Sequence, residues 1–86
     1  MDNDVNGWKN RQTWNVVLWI RQTEPLYLKA CDFAKMCRAQ GKSTAYRDFT
    51  AYAHLGNGHR TPDGISWTGT RLDYPALDRM LMDLAN

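Results

Sequence analysis

The chain has 86 residues and a net charge of +2, with eleven Lys and Arg against nine Asp and Glu. A chain of this length forms one domain, and 43% hydrophobic with 23% charged residues is typical of a folded globular protein, which excludes a disordered one. The net charge alone does not indicate nucleic-acid binding, because that class usually carries a clustered basic face.

The first predicted element is a helix that begins at position 11 or 12 and ends near position 21. Asn10 or Thr13 can cap it, because either side-chain oxygen reaches the free amides of the first helical turn. The polar residues 1–6 before it are expected to be disordered. Trp8 is expected to be the first ordered residue and to fold back onto the core.

The stretch from Trp14 to Ile20 has the highest apolar density in the chain. Two Trp and four branched aliphatic residues occupy six of its seven positions, and Asn15 occupies the other. Both faces of such a helix are largely apolar, so we expect other elements to cover it on most sides and its tryptophans to belong to the core. A strand is the alternative, because Val, Ile and Trp also favour sheets, but the length and the capped start favour a helix.

The second helix is predicted over 25–39, with proline at its first position and apolar residues at three- and four-residue spacing. Gly41 is expected to end it, because glycine adopts the left-handed conformation of a helix C-terminus. Ser43 is expected to cap a third helix over 44–55. The Gly-Asn-Gly sequence at 56–58 is then expected to stop that helix.

The segment 59–72 has no strong hydrophobic period. Residues 61–64, Thr-Pro-Asp-Gly, predict a turn, because proline suits an early turn position and glycine the position that needs a positive φ. The residues around Trp67 form either a short extended segment or a loop that Trp67 pins to the core. The last helix is predicted over 74–84, with Asp73 as its cap.

These elements predict an all-α fold, a small single-domain bundle of about four helices around a central Trp-rich helix, with a long pinned loop before the last helix. The domain is expected to span residues 1–86. The predicted core residues come from the apolar stripes of the four helices: Trp14, Val17, Leu18, Trp19, Ile20, Phe33, Phe49, Leu77 and Leu81.

No motif in the sequence indicates an enzyme, a metal site or a cofactor, and we expect none of these. The Gly-Asn-Gly sequence lies between the two histidines, His54 and His59, and breaks the helix there. Neither histidine has the usual zinc-ligand spacing to Cys31 or Cys37. Gly-Asn-Gly follows a helix rather than preceding one, so it does not fit a phosphate-binding loop. A catalytic site would require a pocket in which a histidine meets an Asp or Cys from another helix.

The sequence favours a cytoplasmic protein with no membrane association. Its N-terminus lacks the apolar core of a signal peptide, and its longest apolar run, 16–20, is far shorter than the ~18 residues that cross a bilayer. Cys31 and Cys37 lie in one predicted helix and point to different faces, so they cannot be bridged. We therefore expect both cysteines to be reduced.

Four polar residues surround the tryptophans of the first helix: Asn10, Arg11, Thr13 and Asn15. Such residues often satisfy backbone groups of adjacent loops. We expect them to fasten the N-terminal arm or the 59–72 segment to the core. The alternative is a polar pocket with a role in binding.

The same region carries a specific motif, Trp8-Lys9-Asn10-Arg11, Thr13-Trp14-Asn15-Val16 and Leu18-Trp19-Ile20, followed by Leu26-Tyr27. It resembles the signature of a family of short uncharacterised proteins that are common in bacteriophages and occur in some bacteria. The resemblance extends to 61–67 and to the Leu-rich last helix, so it covers most of the chain. It implies a phage or phage-derived accessory protein in the bacterial cytoplasm, but the family carries no established activity from which functional residues could be transferred.

We expect the protein to bind a bacterial host protein and to modulate or inhibit it, as a monomer or a homodimer. This function predicts an exposed apolar or aromatic patch on the order of several hundred Å². The candidate partner-binding residues are aromatic or basic: Trp8, Tyr27, Tyr46, Tyr52, Arg60, Trp67, Arg71 and Tyr74.

The alternative function is that of a small nucleic-acid-binding accessory factor. It would use Lys9, Arg11, Arg60, Arg71 and Arg79, brought together beside exposed aromatic rings. These cations are scattered singly among acids, which favours a solvated surface. A continuous positive face, and binding that weakens steeply with salt, would favour the nucleic-acid function.

Overall fold

The computed structural model describes residues 7–56 and 58–85. They form four helices: α1 (Arg11–Gln22), α2 (Glu24–Ala39), α3 (Tyr46–Tyr52) and α4 (Tyr74–Asp83). Arg60 and Ser66 form an isolated antiparallel bridge, and the described residues contain no strand. The predicted all-α fold of four helices with a long loop before the last is therefore confirmed.

Two parts of the predicted architecture, the disordered segment 1–6 and Asn57 of the Gly-Asn-Gly sequence, lie outside the described residues. Within the described ranges, no helix is both long and apolar enough to cross a membrane.

Local sequence signals set the ends of α1, α2 and α4. The Asn10 side chain accepts a hydrogen bond from the Thr13 amide at 2.8 Å, so Asn10 is the cap of α1. The Asp73 side chain accepts one from the Ala76 amide at 3.4 Å, as predicted for α4. Gly41, with φ +70°, ends α2 as predicted, and two backbone hydrogen bonds across it form a Schellman motif.

The start of α3 differs from the prediction. Ser43 does not cap this helix, since Ala45 holds the N-cap position and supplies no side-chain bond. The Tyr46 amide instead donates to Asp78 Oδ1 of α4 at 2.7 Å. Thr44 Oγ1 donates to the Asp78 carbonyl, also at 2.7 Å. The local prediction is wrong because the capping group lies 32 residues further along the chain.

The end of α3 also precedes the predicted Gly-Asn-Gly stop. His54 has φ +58° and adopts the left-handed conformation that usually belongs to glycine. The Leu55 amide donates to the Thr50 carbonyl at 2.8 Å, which closes the same motif as at Gly41. The predicted stop at 56–58 is wrong because a residue inside the predicted helix already leaves the right-handed region.

The core lies between the helices and under the long loop. α2 contacts each of the other three helices, and α3 also packs against α4. Trp67 and Leu72 of the loop join the buried side chains of the helices in one cluster. Most of the predicted core residues are buried there: Val17, Ile20, Phe33, Phe49, Leu77 and Leu81.

α1 is covered over most of its length, as predicted, but α2 and not α1 is the helix that contacts the other three, so α1 is not the centre of the bundle. The tryptophans of α1 also lie less deep than predicted. Every residue from 12 to 20 is at least half-buried. All three of Trp14, Leu18 and Trp19 are only half-buried. Trp19 packs against the core cluster, whereas Trp14 and Leu18 are not part of it, so their assignment to the core is wrong. Trp19 stays at the edge because its indole N–H donates to the exposed carboxylate of Asp63. Trp14 and Leu18 are four residues apart and share a face of α1 that is only partly covered.

Candidate functional site

Polar side chains of α1 and its cap hold the 59–72 loop at both of its ends. At the end that leads into α4, Asn10 Nδ2 donates to the Arg71 carbonyl at 2.7 Å. The Asp73 amide donates to Thr13 Oγ1 at 2.9 Å. These two bonds fix the direction in which the chain enters the last helix.

At the other end, one buried amide of α1 connects two residues of the loop turn. Asn15 Nδ2 donates to Asp63 Oδ2 at 2.7 Å, while Asn15 Oδ1 accepts from Thr61 Oγ1 at 2.7 Å. Trp19 Nε1 donates to the same Asp63 oxygen at 2.9 Å. The Ile65 amide in turn donates to Thr61 Oγ1 at 3.1 Å, which closes the turn. We call the contacts at both ends the loop clamp.

The Asp63 carboxylate is exposed, yet it accepts two hydrogen bonds of the clamp. Hydrogen bonds from Asn15 and then Trp19 hold the pKa of Asp63 below its usual range, and the charge of Arg11 acts in the same direction. A carboxylate in this setting stays ionised and fastens the loop, which is the opposite of what a general acid requires.

The expectation that polar motif residues fasten the 59–72 segment is therefore confirmed. Asn10, Thr13 and Asn15 each bond to it or to the residue that follows it, whereas Arg11 is exposed and acts on Asp63 only through its charge. These groups are satisfied within the protein, so they do not line an open polar pocket.

Two of the predicted partner-binding aromatics are buried, and that part of the prediction is wrong. Tyr46 is fully buried and Trp67 is 4% exposed. The Tyr46 hydroxyl donates to the Trp67 carbonyl at 2.8 Å, and burial raises the pKa of the phenol. Of the two alternatives for this segment, the structure has the loop pinned by Trp67. The sequence alone does not distinguish an aromatic anchor for a partner from an anchor for the protein's own loop.

The other predicted partner-binding residues are at least partly accessible. Trp8 and Tyr74 are half-buried. The Tyr74 hydroxyl donates to the Gly69 carbonyl at 2.9 Å, and the Arg47 guanidinium lies 4.5 Å from its ring centre, so Tyr74 has structural contacts on several sides. The exposed members of the set lie on different elements: Tyr27, Tyr52, Arg60 and Arg71. The structure therefore does not gather the predicted residues into one site.

Exposed apolar side chains identify a different surface, which we call the α2–α3 face: Leu28, Met36 and Tyr52. Their exposed fractions are 54%, 40% and 41%. Leu28 and Met36 lie on the solvent side of α2, about 12 Å apart along its axis. The Tyr52 ring lies 5.5 Å from the ring of Phe33. Phe33 precedes Met36 by about one turn, so Tyr52 borders the Met36 side of the helix.

Sequence reasoning found only Tyr52 of this face. Leu28 and Met36 were missed, although the sequence carries a signal for them. The buried residues of α2 are Ala30, Phe33, Ala34 and Cys37. Leu28 and Met36 lie off that stripe, and a large apolar side chain outside the buried stripe of a helix is a candidate for a second interface.

Among the clefts with titratable side chains, two include residues considered above for nucleic-acid or metal binding. A cleft of about 510 Å³ lies between the N-terminal residues, the end of α1 and α4. Of the cations predicted for a nucleic-acid platform, it includes Lys9 and Arg79, together with Arg21. A cleft of about 480 Å³ brings His54 and His59 to one wall. Within residues 7–56 and 58–85, no group of three or more His, Cys, Asp or Glu side chains could hold a metal ion.

Comparison with known protein families gives a match over residues 1–86 to a family of unknown function, DUF7249. The chain belongs to this family. Among curated proteins and solved structures, no match to the chain is found.

Proposed function

We propose that the protein is an accessory protein of bacteriophage or phage-derived origin that binds a bacterial host protein in the cytoplasm and modulates or inhibits it. The observation that carries the proposal is the α2–α3 face. Leu28, Met36 and Tyr52 are the residues that contact the partner, and burial of their apolar surface drives association.

The chemistry of the face suits a protein partner. Tyr and Met are enriched in protein interfaces, and the rim of an interface is polar and solvent-accessible. Lys29 and Lys35 are exposed on the same helix and supply such a rim. Apolar and charged side chains thus occupy one continuous stretch of α2.

One acidic residue makes the proposal more specific. Asp32 is exposed and lies four residues from both Leu28 and Met36, so it sits between them on the helix surface. A partner that covers the face must supply a hydrogen-bond donor to this carboxylate, because an unpaired buried charge is strongly unfavourable. We therefore expect a Lys or Arg within an apolar groove of the partner.

The support under the face favours binding with little loss of conformational entropy. Phe33 is 4% exposed. The centre of its ring lies 5.7 Å from the ring centre of Phe49 and 5.5 Å from that of Tyr52. The Tyr52 ring is therefore already held against buried neighbours before a partner arrives. Preorganisation of this kind increases affinity by lowering the entropy lost on association.

The test is affinity capture from a bacterial lysate with matched surface variants. The binding variant is Leu28→Ser with Met36→Ser, and the control is Met82→Ser, which alters a 50% exposed apolar residue of α4 outside the face. We expect one protein to be captured by the wild type and by Met82→Ser but not by the double variant. Asp32→Lys is expected to abolish capture of the same protein by repelling its basic group.

Recovery of the same proteins by all variants would contradict the proposal. A second copy of this chain is the competing occupant of the face. It would be recognised by a concentration-dependent dimer in light scattering that the double variant abolishes. In that case the face serves homodimerisation and the host partner must bind elsewhere.

The nucleic-acid alternative has less support. Only Lys9 and Arg79 of its five cations line the same cleft. Arg60 Nη1 donates to the Gly64 carbonyl at 2.9 Å within its own turn. Binding to single-stranded DNA or RNA that falls steeply between low and moderate salt would favour this alternative over protein binding.

A further inference from the structure

We propose that the cleft between the N-terminal residues, the end of α1 and α4 binds a nucleoside phosphate. Its volume of about 510 Å³ falls within the range of about 300–1,000 Å³ that is typical of small-molecule sites. The cleft includes no residue of the α2–α3 face. It is therefore a separate site, and the proposal is independent of the host-protein function.

Three cations provide the anion-binding part of the cleft: Lys9, Arg21 and Arg79. They come from three elements, namely the segment before α1, the last turn of α1, and α4. All three side chains are exposed, and no ion pair joins any of them to another residue of 7–56 or 58–85. Their N–H groups are available for phosphate oxygens, to which guanidinium groups can bind in a bidentate manner.

Two acidic residues in the lining of the cleft restrict the class of ligand that it can bind. Asp73 and Asp83 also line the cleft. A ligand that is only anionic would be repelled by them. Carboxylates accept hydrogen bonds from hydroxyl groups and from exocyclic amino groups, and a nucleoside carries both. A molecule with an anion at one end and donors at the other meets both kinds of charge.

The apolar part of the lining suits a planar base. Trp8 is half-buried and packs against the core, so its indole has a fixed position at the cleft. Met80 of α4 lines the same cleft. Bases stack on aromatic side chains with little sequence preference, and thioethers contact rings favourably. The three parts of the lining thus correspond to the phosphate, the sugar and base donors, and the base ring.

The test is calorimetric titration of the full chain with AMP, GMP, CMP and UMP, each compared with inorganic phosphate and with adenosine. We expect saturable binding of at least one nucleotide. Inorganic phosphate alone and adenosine alone should each bind more weakly, by about tenfold or more. Arg79→Gln is expected to weaken nucleotide binding by about tenfold, because it removes a charge-assisted contact. Lys42→Gln, which removes the same charge from an exposed residue outside the cleft, is expected to leave binding unchanged.

Arg79 is exposed, so its replacement is expected to preserve the fold, which thermal unfolding of each variant verifies. Trp8→Leu tests whether the base stacks on Trp8. It should weaken nucleotide binding and leave any binding of inorganic phosphate unchanged. Absence of saturable binding by all four nucleotides overturns the proposal. Equal weakening by Arg79→Gln and Lys42→Gln also overturns it, because binding would then follow overall charge. Binding of a single-stranded oligonucleotide without binding of any mononucleotide overturns it in favour of a nucleic-acid surface.

Discussion

The loop clamp and the α2–α3 face are built from opposite kinds of side chain. In the clamp, Asn15 is 4% exposed and its amide bonds to both Thr61 and Asp63. In the face, Leu28 and Met36 leave 54% and 40% of their surface in solvent. The polar motif residues of α1 thus maintain the fold, whereas the solvent side of α2 carries the exposed apolar residues that we propose to bind a partner.

The largest loss of stability is expected when the clamp is broken at its buried centre. Asn15→Ala removes the acceptor of the Thr61 hydroxyl and one donor to Asp63, and it leaves a buried polar group unsatisfied. We expect the free energy of unfolding to fall by about 2–3 kcal/mol. Urea unfolding followed by tryptophan fluorescence measures this change.

Leu28→Ala is the matched control in the face, and it should change the free energy of unfolding by no more than about 0.5 kcal/mol. Equal losses in the two variants would remove the distinction between a structural clamp and a free face.

A gain in stability is expected at the end of α3, next to Tyr52 of the face. His54→Gly relieves the left-handed conformation of a residue with a Cβ and should raise the free energy of unfolding by about 1 kcal/mol. His54→Ala removes the imidazole but keeps the strained backbone, so it should give no gain. Thermal unfolding of both variants makes the comparison, and an equal gain from Ala would show that the side chain, not the backbone, is the source.

A smaller and pH-dependent effect is expected from Asp63→Asn. The pKa of Asp63 is lowered in the folded protein, so its carboxylate stabilises the fold above the unfolded-state pKa of about 3.9. This contribution is lost as the pH falls through the folded pKa. The stability difference between the wild type and Asp63→Asn should therefore shrink as the pH is lowered from 5 to about 3.

Chemical unfolding at several pH values in this range measures that difference. The Asn15→Ala background is the control, since the hydrogen bond that lowers the pKa most is absent there and the pH dependence should weaken. A difference that stays constant with pH would contradict the assignment of Asp63 as an ionised fastener.

Only a small change in stability is expected from the double variant of the face. Leu28→Ser with Met36→Ser should lower the free energy of unfolding by about 1 kcal/mol at most, because exposed positions contribute little packing. The same urea unfolding experiment measures it. A loss as large as that of Asn15→Ala would mean that the face is part of the structural framework.

The sequence predicts most of the fold where the signals are local. The cap at Asn10, the cap at Asp73 and the left-handed Gly41 lie within a few residues of the ends they define, so α1, α2 and α4 are predicted within about two residues. The start of α3 could not be predicted, because Asp78 supplies its cap from another helix. Its end could not be predicted either, because residues other than glycine seldom adopt the left-handed conformation that His54 has.

The candidate site could be predicted from the sequence less well than the fold. Tyr46 and Tyr52 lie in the same helix, yet one is fully buried and the other 41% exposed. Which side of α3 meets α2 and α4 decides this, and that choice depends on tertiary packing. The bonds from the polar motif residues to the loop could be predicted from the sequence. Buried amides and hydroxyls need hydrogen-bond partners, and 59–72 is the long segment without predicted helices.

The most direct test of the central claim is site-specific photocrosslinking in bacterial cells. A photoreactive benzoylphenylalanine replaces Leu28, Met36 or Met82, one at a time, in the full chain. We predict that positions 28 and 36 crosslink to one and the same host protein and that position 82 does not. Crosslinking of that host protein from position 82, with none from 28 or 36, would contradict the assignment of the α2–α3 face as the binding surface.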